Sequence, residues 1–341
     1  MKNKVTIHDI SRALKIDSST VSRALNNSSR VTEKTKEKIL KKAKELGYQR
    51  NLLASNLRKN KTNTIGVIVP RISRHFFSSL IAGIEETAYN TDYNIIICQS
   101  LELLERETNI VASLAANRVA GVLMSISMET KNYDHLIPLQ NGNIPLVFFD
   151  RQCNISGHST VLIDDYQAGF DATEHLIQQG CKSIAHLSGP QSLEIYKNRY
   201  KGYKAALEKH GLDVDPKLVI SSELMEKDGA ESIEQLLEKN KQLDGVFSAN
   251  DIAAISAIKH LKKKGIEVPK DIAIVGFSNE PISELIEPSL STIDQPGFEM
   301  GKMAANLLLK QINSAVPIEN ETIILKPNLI KRNSCKYQVS I

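Results

Sequence analysis

From Thr64 onward the sequence alternates short, almost unbroken apolar runs with longer stretches of helical periodicity, and few folds accept that pattern. The runs are 64–69 (TIGVIV), 93–98 (YNIIIC), 119–125 (VAGVLMS), 145–149 (PLVFF), 183–187 (SIAHL), 244–248 (DGVFS) and 271–277 (DIAIVGF). Helical spacing covers 76–89, 103–117, 165–180, 195–211, 229–240, 251–264 and 297–313. A strand that is apolar along its whole length is buried on both faces, so helices must lie above and below it. The alternation therefore predicts an α/β body of parallel, doubly wound sheet. The layout suits either one large sheet or two lobes, and it shows no short-period repeat.

Charge divides the chain at the same place. Residues 1–63 hold 16 Lys and Arg against 5 Asp and Glu, a net +11, whereas the remainder holds 27 against 34, a net −7. A compact basic head on an acidic body points to a polyanion partner. A membrane partner would require exposed large apolar residues on an amphipathic face, and the head has no Trp or Phe. Nucleic acid is the expected partner.

The head reads as three short helices. Thr6 and Asp9 are spaced as a capping box for a helix over Ile7–Leu14. After a tight turn at Lys15–Ile16, Asp17 is placed to cap a second helix to about Leu25, with Val21 and Leu25 as its buried stripe. The third runs from Thr32 to Gly47, with Ile39, Ala43 and Leu46 inward and Gly47 at the C′ position. Helix, tight turn and helix over residues 6–26 fit a small all-α helix-turn-helix head. Next, Asn51 could cap a short helix over Leu52–Arg58, ahead of a polar linker at Lys59–Asn63. So short a helix is below the ~12–15 residues that are marginal alone in water, so something outside it must hold it.

Cys98, Cys153, Cys181 and Cys335 form no CxxC pair and fit reduced thiols. MKNKVTIHDI has no apolar signal region, and no run approaches the ~20 residues needed to cross a bilayer, so a cytoplasmic location is expected.

VTIHDISRAL and STVSRALNN together resemble the signature of the LacI/GalR family of bacterial transcription regulators, V-T-x-x-D-V-A followed by S-x-x-T-V-S-R-x-L-N. YQRNLLASNL is similar to the family's hinge pattern Y-x-P-N-x-x-A-x-x-L. ASNDIAAISA, VPKDIAIVGFSN and PSLSTIDQPGFEMGKMAANLLL match its body, so the resemblance covers essentially the whole chain. It implies a DNA-binding domain at 1–49, a hinge helix and linker at 50–63, and a two-lobed ligand-binding and dimerisation domain at 64–341. The lobes would be doubly wound parallel sheets like those of periplasmic binding proteins. Three departures stand out: Leu14-Lys15-Ile16-Asp17 drops the glycine of the usual turn, Arg50 replaces the hinge proline, and Ser278-Asn279 replaces a common Asp-containing pair.

A homodimer with two such heads would read a pseudo-palindromic duplex operator. The second helix would lie in the major groove, with Ser18 and Ser19 nearest base edges and Arg23 able to pair bidentately with guanine. Thr6, Thr20, Ser22, Asn26, Thr32 and Thr35 suit phosphate contacts, and Arg30 suits either role. The resemblance further implies that paired hinge helices enter the minor groove and wedge Leu57 into a base step, with Asn51 and Ala54 on the same side.

Ligands of parallel sheets sit beyond the carboxyl ends of the strands. Arg74 and Phe76, Asp150, Asn250 and Ser278 lie just past such ends, and Arg199 matches a family arginine that grips ligand hydroxyls. A carboxylate and a guanidinium flanking one cleft suit a sugar or sugar derivative, whose hydroxyls both donate and accept. The expected function is a repressor of carbohydrate-utilisation genes, released from its operator by such an effector. A ligand acting as co-repressor, and a sugar-binding protein without a regulatory role, are the alternatives. The chain has no GxSxG, HExxH, Walker A or GxGxxG after a strand, and its histidines lack metal-ligand spacing. Neither catalysis nor a cofactor is expected.

Overall fold

The computed structural model describes residues 5–48, 62–153, 157–314, 316 and 318–335, and the chain divides into two compact units, residues 1–60 and 61–341. In the first unit, Thr6 and Asp9 form the capping box of α1 (Ile7–Leu14), and the Thr6 amide and hydroxyl both donate to Asp9 Oδ2, at 2.9 and 2.7 Å. Asp17 caps α2 (Ser18–Leu25) by accepting from the Ser19 amide at 2.7 Å. The turn between them places Lys15 at φ 55°, a left-handed conformation that glycine would adopt without strain. Helix α3 (Glu33–Glu45) starts one residue later than expected, because Thr32 is its N-cap. Ile10, Val21, Ala24, Val31, Ile39 and Ala43 form the buried core, and the expected inward residues Leu25 and Leu46 pack only partly buried at its edge.

The second unit holds two six-stranded sheets. One contains β1 (Thr64–Val69), β2 (Asn94–Gln99), β3 (Gly121–Met124), β4 (Leu146–Phe149), β5 (Ser159–Ile163) and β11 (Thr322–Leu325), in the order β11-β5-β4-β3-β1-β2 and parallel throughout. The other contains β6 (Ile184–Ser188), β7 (Val219–Ser221), β8 (Gly245–Ser248), β9 (Ala273–Phe277), β10 (Ser291–Asp294) and β12 (Asn328–Ile330), in the order β12-β10-β9-β8-β6-β7. Only its β10–β12 pairing is antiparallel. The two-lobed alternative is therefore the observed one. The chain passes between lobes after β5, after β10 and between β11 and β12.

Five strands, β5, β7, β10, β11 and β12, carry no long apolar run and were not expected. In β5 and β10 the polar positions are buried and bonded by distant residues. Ser159 receives Gln311 and Glu321, Ser291 is engaged by Arg332 and Ser334, and Thr292 donates to Asp251. Strand β2 departs the other way: its apolar run is an edge, with Ile96 and Ile97 exposed.

Both lobes bring helices unusually close at glycines. In the first, α4 (His75–Tyr89) meets α12 (Gly297–Asn313) through Gly83 and Gly301, where a Cβ would overlap the Phe298 and Leu80 carbonyls. In the second, α7 (Asp165–Gln178) meets α8 (Glu194–Lys209) through Gly169 and Gly202. A Cβ there would overlap the backbone carbonyls of Arg199 and Tyr166. Gly202→Ala is expected to destabilise the protein by about 1–3 kcal/mol through overpacking, seen as a lowered thermal midpoint. An unchanged midpoint would show that the helices separate freely.

Candidate functional site

The basic head presents one polar surface. On α2, Ser19 and Arg23 are exposed, whereas Ser18, Thr20 and Ser22 are partly buried. Asp17 accepts from the Ser19 amide at 2.7 Å, and the Ser19 side chain and amide together hold its carboxyl below the usual range. Other predicted contacts already have partners within the head. Thr6 donates its hydroxyl to Asp9, Asn26 Nδ2 donates to the Ser22 carbonyl at 2.7 Å, and the Thr32 and Thr35 hydroxyls meet at 2.9 Å. These four residues therefore also bond locally near helix ends. Arg30 is exposed beyond α2. Asn51, Ala54 and Leu57 lie outside the described residues.

The second surface is the cleft between lobes. All six residues singled out from the sequence, Arg74, Phe76, Asp150, Arg199, Asn250 and Ser278, line one cavity. It lies at the switch points of both sheets, where β1 and β3 diverge in one lobe and β6 and β8 in the other.

Arg199 is 3% exposed, and its guanidinium is fixed on three sides. Nε donates to Asp165 Oδ1 at 2.7 Å, Nη1 donates to the Ala249 carbonyl at 2.9 Å, and the Phe277 ring centroid lies 3.5 Å from Cζ. Burial pushes the Asp165 carboxyl up to about 6 despite Arg199.

Asp150 sits at φ 59° in a tight turn closed by a 2.6 Å bond from the Arg151 amide to the Phe149 carbonyl. Its carboxylate accepts from Ser125 Oγ at 3.2 Å, and burial raises its pKa, against Arg151 and Arg199, which lower it.

Asn250 combines two roles. Its Oδ1 accepts from the Ala253 amide as the cap of α10 (Asp251–Lys263), and its Nδ2 donates to the Leu224 carbonyl, both at 2.8 Å. Next to it, buried Asp251 gathers Thr292, Ser283 and the Glu280 amide at 2.6–2.8 Å, and burial pushes its pKa up to about 6. Ser278, at φ 106°, accepts from Gln295 Nε2 at 2.8 Å.

Among the described residues, two hydrogen bonds cross the cleft. Arg74 Nη2 lies 3.4 Å from Met225 Sδ, and the His75 amide, at the start of α4, donates to Glu280 Oε1 at 3.3 Å. Arg151, Tyr196, Glu280 and Gln295 also line the cavity. They had escaped the sequence reading, although Arg151 and Glu280 stand within two residues of Asp150 and Ser278. Gln295 follows β10 just before a change of lobe, and Gln-Pro-Gly was the available signal.

Alternating carboxylates and guanidinium groups suit a neutral compound with many hydroxyls. Among the described residues no three His, Cys, Asp or Glu side chains are grouped to hold a metal.

Residues 6–51 match the model for bacterial regulatory proteins of the lacI family, and residues 173–335 match a periplasmic binding protein-like domain. The HTH-type transcriptional regulator RegA of Clostridium saccharobutylicum is 34% identical over 331 residues, 96% of this chain and 98% of that protein. The ribose operon repressor of Halalkalibacterium halodurans is 32% identical over 333 residues, 97% of each. A solved LacI family regulator from Enterococcus faecium with bound ribose is 30% identical, with a TM-score of 0.72 over 80% of this chain and 98% of that one.

Asn250→Ala removes a helix cap as well as a cleft group. It should lower the stability of the ligand-free protein by about 0.5–2 kcal/mol, measured by denaturant unfolding. Equal stability of the two proteins would mean the cap is dispensable.

Proposed function

Because this chain belongs to the lacI family of bacterial regulatory proteins, we propose that it is a homodimeric repressor that leaves a pseudo-palindromic operator when a small sugar fills the interlobe cleft. The observation that carries the effector half of this reading is the convergence of Arg74, Asp150, Arg199 and Ser278 on one cavity. A monosaccharide presents adjacent hydroxyls that donate to Asp150 and accept from Arg199. Two of the similar proteins concern ribose, so D-ribose is the first effector to try.

On the DNA side, Ser18, Ser19 and Arg23 meet base edges, Thr6, Thr20, Ser22, Asn26, Thr32 and Thr35 steady the head on phosphates, Arg30 takes either role, and Leu57 of the hinge wedges into a base step with Asn51 and Ala54 on the same side. The exposed Ile96 and Ile97 of edge strand β2 support a second copy as their cover, because a bare apolar edge invites pairing. No described helix is long and apolar enough to cross a membrane, and a duplex target puts the protein in the cytoplasm. Ligand in the cleft favours one arrangement of the lobes, and the coupling free energy appears as reduced operator affinity.

Arg23→Ala should weaken operator binding by about 1–3 kcal/mol while leaving binding to a scrambled duplex nearly unchanged, as read by fluorescence anisotropy. Equal loss on both duplexes would reduce Arg23 to a phosphate contact. Arg199→Ala should retain operator affinity but lose release by D-ribose. If D-ribose and a panel of other monosaccharides leave the native protein on its operator, the effector reading fails. A sugar that tightens the complex would make it a co-repressor.

A further inference from the structure

Helix α4 begins without a cap of its own. Its N-cap residue, Arg74, makes no side-chain cap bond, and its first turn holds no acidic residue. The helices that open the second lobe's side of the cleft differ. Asp164 caps α7 by accepting from the Gln167 amide at 2.9 Å, and Asn250 caps α10. The unsatisfied amides and partial positive charge at a helix start favour a carboxylate there. At α4 that carboxylate comes from the opposite lobe: Glu280 Oε1 accepts from the His75 amide at 3.3 Å.

Glu280 is fixed to the second lobe by its backbone. Its amide donates to Oδ2 of the fully buried Asp251 at 2.8 Å, and its carbonyl accepts from the Ser283 amide at 2.8 Å. Ser278 and Asn279, just before it, both have positive φ, at 106° and 49°. Asn279 is pinned on both sides, Nδ2 donating to Asp294 Oδ1 and Oδ1 accepting from Arg332 Nη2, each at 2.9 Å. Strain of this kind persists where surrounding contacts over-determine it, and switch regions are among the places where it gathers. The loop therefore holds its position, and the Glu280 side chain is what reaches across. On the receiving side, α4 is packed tightly on α12 through Gly83 and Gly301, so its N-terminus moves with the first lobe.

We propose that Glu280 is a latch between the lobes: it caps α4 from across the cleft and draws the mouth toward closure before an effector enters. The helix start is satisfied only when the lobes approach, so capping and closure are one event. A carboxylate at a helix start shifts such an equilibrium by roughly 2- to 30-fold, enough to bias the lobes and too little to lock them. The latch thereby sets how far a ligand must still shift the population. It goes beyond the effector reading and holds whichever compound fills the cleft.

The test uses full-length protein without any sugar. Glu280→Gln keeps shape and acceptor but loses the charge, and Glu280→Ala loses both. Hydrogen exchange by mass spectrometry follows the peptide holding the His75 amide, and small-angle scattering follows the separation of the lobes. Glu280→Ala should exchange that peptide faster by roughly 2- to 30-fold and enlarge the radius of gyration, with Glu280→Gln between it and the native protein. About 1 M NaCl should move the native protein toward the Glu280→Gln values, because salt screens a charge that is only partly buried. Native exchange and native radius in both variants would overturn the latch. So would faster exchange, or a lowered thermal midpoint, with an unchanged radius, since Glu280 would then be a local cap alone. Glu280→Gln with its salt series decides the matter if Glu280→Ala does not fold.

Discussion

The buried pair between Arg199 and Asp165 holds the cleft in shape. Asp165 is the first residue of α7, reached immediately after the chain leaves the first lobe, and Arg199 lies on α8. Their 2.7 Å bond therefore joins the crossover to the helix that lines the cavity. The Ala249 carbonyl and the Phe277 face add two strand ends of the second lobe. Placing two charges where water is scarce costs more than their attraction returns in many proteins, so such a pair is better evidence of orientation than of stability. The Asp165 pKa, raised to about 6 by burial, agrees. With the folded value above the unfolded one, the favourable contribution is complete below the ordinary carboxylate range and lost as pH rises through about 6. At neutral pH the fold thus keeps an ionised Asp165 at a net cost, and the return is a guanidinium aimed before any ligand arrives.

Among the described residues, three crossovers and two hydrogen bonds connect the lobes. Arg74 with Met225, and the His75 amide with Glu280, are weak bonds, and Arg74 and Glu280 line the cavity. A sulfur is a poor acceptor, so a ligand oxygen would replace Met225 at Arg74 with gain. Strong pairs, such as Arg199–Asp165 and Arg151–Glu102, stay within one lobe. This division gives rigid walls and a lightly fastened mouth, the arrangement in which differential ligand contacts shift a two-state equilibrium.

Much of the fold was legible because burial on both faces forces an uninterrupted apolar strand, as in TIGVIV and DIAIVGF. Strands β5 and β10 were illegible for the opposite reason. Their Ser159, Ser291 and Thr292 are buried, but the partners that satisfy them lie far away in sequence. The cleft followed from the strand-end rule at Arg74, Phe76, Asp150, Asn250 and Ser278. That rule identifies positions and not duties, and Asn250 proved to be a helix cap as well as a cavity residue. Arg151 stayed hidden because its significance depends on Glu102, which is distant in sequence and becomes a neighbour only through β4 and the end of β2.

Backbone strain marks the same place independently. Among the described residues, ten that are not glycine have positive φ, and Leu101, Glu102, Asp150, Leu224, Ser278 and Asn279 all stand on or against the cleft. Asp and Asn tolerate this conformation, whereas Leu, Glu and Ser do so at a cost of about 1–2 kcal/mol each. The head shows a single similar case of a long side chain, Lys15, where a tight turn must join α1 to α2. There the strain buys a fixed angle between two helices; in the cleft it fixes the direction of carboxylates and hydroxyls. Core packing alone would tolerate relaxed turns at these loops, since none of the six sits in the middle of a helix or strand. What relaxed turns would lose is the registration of Asp150, Arg151 and Ser278 around one small volume, and that registration is what a ligand of fixed stereochemistry requires.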